Sequence, residues 1–156
     1  MFSALTTSTV LILGRIGEDG SEVSQAVDKR LRMMGYIAVV FDFGRSANRS
    51  YMETIQSIAS LSRIIVADIR DPYLYRNFYE MILDYRIPVG LVLEKGNQLN
   101  PMFTDILSND RVVKPIIQFK NFKSLIGLIK SKVVEPAEKL IGKRHKLLDE
   151  LSGEKR

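Results

Sequence analysis

The chain reads as an α/β domain: a five-stranded parallel sheet with helices on both faces and one extra helix at the C-terminus. Three observations lead there. Across the 156 residues, short apolar runs alternate with segments of helical period. The runs are mostly β-branched and continuously apolar, the pattern of strands covered on both sides. Strand, helix, strand, repeated about five times, builds a parallel sheet with helices on each face.

The strand runs are Val10–Leu13, closed by Gly14, then Tyr36–Phe43, Ile64–Ile69, Pro88–Leu93 and Val112–Phe119. Pro115 places the fifth run at a sheet edge, because proline has no N–H to give a central ladder. Between the runs lie the helices. Ser21–Met34 sets Val23, Val27, Leu31 and Met34 on one stripe, and Gly35 follows as a stop. Ser50–Leu61 opens with Ser50-x-x-Glu53, a capping-box spacing, and turns Ile55, Ile58 and Ala59 inward. Leu74–Tyr85 carries Phe78, Met81, Ile82 and Tyr85 at helical spacing, and Pro101–Leu107 is a short helix. Asn121–Val133 starts at an N-cap Asn and buries Phe122, Leu125, Ile129 and Val133.

Right-handed crossovers leave few topologies for such a chain. Five strands in this length favour the flavodoxin-like order 2-1-3-4-5. After Glu135-Pro136, the residues Ala137, Leu140, Ile141, Leu147, Leu148 and Leu151 form a further amphipathic helix. The chain therefore divides into a domain over residues 1–135 and a helix and tail over 136–156. That helix has two readings: it folds back on the domain, or it serves self-association or a partner.

Composition narrows the chemistry. The absence of cysteine rules out disulfides, thiolate metal sites and a catalytic thiol, and the single His145 cannot build a histidine cluster. No resident metal or cofactor is expected. A net charge of +5 favours anionic ligands without indicating nucleic acid. The densest basic cluster, Lys143 to Lys146, is mixed with Glu138, Asp149 and Glu150 and has no interleaved aromatics, so it reads as a solvated helix face. No apolar run is long enough to span a bilayer, and the N-terminus lacks a signal-peptide pattern, so a cytoplasmic location is the expectation.

In open α/β sheets ligands bind beyond the carboxyl ends of the strands, where the strand order reverses. Past strand one lies Gly14-Arg15-Ile16-Gly17-Glu18-Asp19-Gly20. It matches neither common phosphate-loop pattern, and Arg15 is its best candidate for a ligand. Past strand two, Asp42 stands where a ribose hydroxyl is often held, and Arg45 and Arg49 could meet phosphate. Glu53 fits a helix cap better. Asp68, near the end of a buried strand, is either functional or paired with Arg70 or a backbone amide. Glu80 lies opposite the Phe78/Ile82/Tyr85 stripe, which by periodicity alone reads as a solvated charge. A phospho-receiver reading fails, since Gly14-Arg15 stands where acidic residues are needed and no Lys-Pro closes strand five.

From Val10 to Glu80 the chain resembles bacterial Toll/interleukin-1-receptor (TIR)-like domains. The likeness rests on Leu13-Gly14-Arg15, Gly35-Tyr36 with Phe41-Asp42-Phe43, Arg49 with Glu53-Thr54, and Ser62-Arg63 with Ala67-Asp68. The related nucleoside 2-deoxyribosyltransferase-like domains share Ala67-Asp68-Ile69, Glu80 and Pro88-Val89, but their Asn-x-Asp and Gly-Thr elements are absent here. The resemblance implies that Glu80 stabilises a ribose while its N-glycosidic bond breaks. It implies NAD as substrate, cleaved at the nicotinamide–ribose bond, with Arg15, Asp42, Arg49 and Asp68 binding it. It further implies a role in antiphage defence or nucleotide signalling, and a homo-oligomer formed through TIR-like surfaces or the C-terminal helix. The rival expectation is a non-enzymatic nucleotide-sensing or oligomerisation module of the same fold.

Overall fold

A computed structural model describes residues 8–14, 20–42, 49–69, 87–99 and 101–152. Its strands are β1 (Thr9–Gly14), β2 (Ile37–Asp42), β3 (Ile64–Asp68), β4 (Val89–Glu94) and β5 (Val112–Phe119). They form one parallel sheet in the order β2-β1-β3-β4-β5, as the alternation of runs predicts. The described helices are α1 (Gly20–Met33), α2 (Arg49–Ser60), a 3₁₀ turn at Pro101–Phe103 running into α3 (Thr104–Leu107), α4 (Phe122–Leu128) and α5 (Glu135–Ser152). The helix expected over Leu74–Tyr85 lies outside the described residues.

Each face of the sheet has its own core. On one side Leu11, Leu13, Ile65, Ala67, Leu91 and Leu93 meet Ile55 and Ala59 of α2, Phe103 just before α3 and Ile106 within it. On the other, Val10, Ile12, Ile64, Val66 and Val92 meet Val27 and Leu31 of α1 and Leu125, Ile129 and Val133. Alternate residues of one strand thus enter opposite cores, which is why the strands read as unbroken apolar runs.

Helix ends follow local chemistry. α1 stops at Gly35, whose φ of 89° suits a residue without a Cβ. Tyr36 N–H donates to Leu31 C=O at 2.9 Å and Gly35 N–H to Arg32 C=O at 3.0 Å, the paired bonds of a Schellman ending. α4 begins with a reciprocal cap: Ser124 N–H donates to the Asn121 side chain at 3.0 Å, and Asn121 N–H donates to the Ser124 hydroxyl at 3.2 Å. The second helix departs from its expected start. It begins at Arg49, so Ser50 lies inside its first turn instead of at the cap.

Pro115 does sit on an edge strand, at an irregularity. Gly90 pairs with Val113 and Val92 with Ile117, so one residue of β4 faces three of β5, Lys114 to Ile116. The extra residues take the proline out of the regular ladder.

α4 and α5 are joined by a single π turn over Ile129–Val134. Glu135 N–H donates to Lys130 C=O, five residues back. Pro136, next in the chain, has no N–H and would crowd the carbonyl four residues before it in a tight helix; the widened turn lets the helix pass through it. The same turn drives Val133 onto the sheet. A Cβ at Gly90 would meet Val133 Cγ1 at 2.9 Å, so a glycine is needed at this point of β4.

A buried-edge cluster ties α5 to the sheet. Glu138 accepts from Arg63 through both oxygens, Nε to Oε1 and Nη2 to Oε2, each at 2.6 Å. Tyr36 donates its hydroxyl to Oε1 at 2.9 Å. Arg63 precedes β3 and Tyr36 precedes β2, so the clamp closes on the N-terminal end of the sheet. Arg63's bidentate hydrogen bonds, more than the Tyr36 hydroxyl, hold the Glu138 carboxyl below its ordinary value despite partial burial. Burial, with the Glu138 acceptor adding to it, pushes the Tyr36 hydroxyl up to about 12.

Gly90→Ala is expected to destabilise the fold by roughly 1–3 kcal/mol in urea unfolding, and Val133→Ala in the same chain to recover part of it. Glu138→Ala is expected to lose roughly 1–3 kcal/mol at neutral pH. Because the Glu138 pKa is depressed on folding, the clamp's contribution is complete above the ordinary carboxylate value of 4.5 and disappears as pH falls through the lowered one. Tyr36, raised on folding, loses its share between pH 10.0 and about 12. Unfolding followed across pH should show a flatter acid limb for Glu138→Gln than for the parent chain.

Candidate functional site

The sheet order fixes where a sheet of this kind takes its ligands. β1 is flanked by β2 on one side and β3 on the other, so the chain leaves β1 in one direction and returns on the opposite side. That reversal is the switch point of an open α/β sheet, and its ligand side is the carboxyl end of the strands.

Two sequence-predicted positions, Asp42 and Asp68, flank Gly14 there. Gly14, the last residue of β1, is in register with Asp42, the last of β2. Leu13 pairs with Ala67, so Asp68 follows in the same cross-strand row as Gly14. Two aspartates therefore close the strands on either side of a glycine. At about 4.8 Å per strand, their Cα atoms lie roughly 10 Å apart, and the residue between them has no side chain.

Asp68 is only 8% exposed and stands opposite Val92 of β4. It sits in an otherwise apolar strand and is engaged in an interaction of its own, as a carboxylate at such a depth requires. The next residue, Ile69, is buried and donates its N–H to Val92 C=O at 3.1 Å, which holds the end of β3 against β4.

Arg49 opens α2, the helix that follows β2. The N-terminus of a helix carries unsatisfied N–H groups and the positive end of its dipole, a field that attracts anions. Glu53, one turn on, is exposed. Arg15, Arg45, Arg70 and Glu80 lie outside the described residues. Among the described residues, no group of three or more His, Asp or Glu side chains is placed to hold a metal ion, and no helix is long and apolar enough to cross a membrane.

Two residues from the sequence motifs go elsewhere. Tyr36 and Arg63, from the Gly35-Tyr36 and Ser62-Arg63 fragments, clamp Glu138 at the opposite end of the sheet. Their partner is about a hundred residues away for Tyr36, and no local pattern marks it. The Asp42–Gly14–Asp68 row was likewise hidden, because it depends on strand register.

A crystal structure of a diflavin flavoprotein A3 from Nostoc sp. superposes with a TM-score of 0.60, covering 89% of this chain and 97% of that one at 12% identity. The fold is flavodoxin-like. At that identity the likeness speaks for the fold alone. No family model matches the chain, and no curated protein does.

An anionic ligand entering this crevice should mark one end of the sheet. Titration with ADP-ribose is expected to move the amide resonances of Gly14, Asp42, Arg49 and Asp68. Those of Tyr36 and Arg63 should stay within error. Shifts confined to the latter pair would put the site at the wrong end.

Proposed function

We propose that this chain binds NAD at the switch point between β1 and β3 and hydrolyses its nicotinamide–ribose bond. The observation that carries the reading is the row Asp42–Gly14–Asp68, with Asp68 buried at the end of β3. Carboxylates at strand ends suit ribose hydroxyls, and the glycine between them leaves room for a sugar. Arg49 at the start of α2, with Arg15 after β1, would meet the pyrophosphate.

The reaction the reading assigns is a displacement by water. The C–N bond between ribose and nicotinamide breaks, and its electron pair leaves with the base, which becomes neutral. Water adds to the anomeric carbon of the oxocarbenium-like sugar and releases a proton, giving ADP-ribose. Glu80, taken from the TIR-like resemblance, holds the ribose hydroxyls, and its negative charge steadies the developing positive charge. The same resemblance supports a role in antiphage defence or nucleotide signalling.

A second reading is a non-enzymatic nucleotide-sensing module that works by self-association. It is favoured by the exposed leucines at the end of α5. Deoxyribosyl transfer ranks behind both, because the elements that normally precede the catalytic Glu are missing from the sequence.

NAD loss with purified protein, followed by chromatography at concentrations up to the high micromolar range, separates these readings. Glu80→Ala is expected to slow turnover by about 100-fold or more, and Asp68→Asn to weaken NAD binding by about 10-fold. No turnover by the parent chain, with ADP-ribose still bound, would replace the enzyme reading with the second one.

A further inference from the structure

α5 carries one apolar stripe, interrupted at Arg144, and only its first turns are covered. Ala137 is fully buried, and Leu140 and Ile141 pack against the core on the α1/α4 side of the sheet. The stripe continues through Arg144 to Leu147, Leu148 and Leu151, which are 58%, 52% and 82% exposed. Residues 142–152 are all exposed, about 16 Å of helix at 1.5 Å per residue. The Glu138 clamp holds the base of this extension at the N-terminal end of the sheet, so it lies away from the crevice.

Charge beside the stripe says what covers it. At 100° per residue, Lys143 and Glu150 fall on the same flank, two turns apart. In a two-fold antiparallel helix pair, each flank faces its own copy reversed. Lys143 then meets the partner's Glu150, and Glu150 the partner's Lys143. A parallel pair would instead stack Arg144 on Arg144 at the centre of the stripe and set like charges side by side. The sequence is self-complementary in the antiparallel sense alone.

We infer that the chain forms a two-fold dimer through an antiparallel pairing of residues 142–152, with Leu147, Leu148 and Leu151 as its apolar seam and reciprocal Lys143–Glu150 pairs beside it. The inference rests on the self-association named in the second reading and is independent of NAD hydrolysis. The seam is small, so the dimer is weak, with a dissociation constant on the order of 10 µM. The carboxyl ends of both sheets point away from it, since the pairing involves the opposite end of each sheet.

Sedimentation equilibrium of the full chain from about 1 to 500 µM tests this. The expected result is a passage from monomer to dimer, abolished by Leu147→Asp. Lys143→Glu and Glu150→Lys are each expected to raise the dissociation constant about 10-fold, and the two together to restore it to within about 3-fold. Circular dichroism should be unchanged, because all these side chains are exposed. The cysteine-free chain also permits a direct check of direction. Ser152→Cys should not self-crosslink under mild oxidation, since antiparallel copies hold these positions about 16 Å apart.

A monomer at every concentration overturns both the dimer and the self-association on which it rests. A dimer that ignores Leu147→Asp, shows no charge-swap recovery, or crosslinks through Ser152→Cys overturns the antiparallel helix pair while leaving self-association in place. None of these results alters the NAD reading, which is judged by NAD loss.

Discussion

A strand covered on both faces has no solvent into which a polar side chain can turn. Every residue along it must be apolar or hold a partner, and β3 obeys this from Ile64 to Asp68, all buried. The rest of the molecule is arranged around that constraint. β1 and β3 form the middle of the sheet, two cores grow from their alternate side chains, and polarity is admitted only at the strand ends. Asp68 is the one ionisable residue of β3, and it stands at the carboxyl end, the side on which open α/β sheets take their ligands.

The two ends of the sheet carry different tasks. At the carboxyl end, Gly14, Asp42 and Asp68 share a row, and the N-termini of α1 and α2 follow their strands closely. At the amino end, Tyr36 and Arg63 converge on Glu138 and hold the C-terminal helix. A charged cluster of this kind gives a modest net contribution to stability, but it is directional: it fixes where α5 departs from the body. The π turn before it has a similar effect, since it carries Pro136 through the helix and presses Val133 against the glycine of β4. Position and direction of the exposed extension are both consequences of packing around β4 and the start of β3.

Much of the fold could be read along the chain because its signals are local. All five strands fall within the apolar runs that announced them, to within a residue or so at each end, and β5 occupies its run fully. Gly35 ends α1 with the geometry its missing Cβ permits, Asn121 caps α4, and Pro115 lies on the edge strand. Ser50 and Glu53 have the spacing of a cap, yet the helix begins one residue earlier, at Arg49. The candidate site was legible in part. Asp42, Arg49 and Asp68 were chosen because they follow strands, while their mutual placement was not available.

What the residues alone determined, then, is the class of fold, the order of strands and the identity of the polar residues at strand ends. Each depends on periodicity, side-chain volume or backbone freedom, and these are properties of a residue and its near neighbours. Tertiary structure decided the register that aligns Asp68 with Gly14 and Asp42, the meeting of Tyr36 and Arg63 with Glu138, and the division of α5 into a covered base and an exposed end. These depend on segments far apart in the chain. Their relative placement comes from closing two cores around one sheet, and no stretch of sequence contains that information by itself.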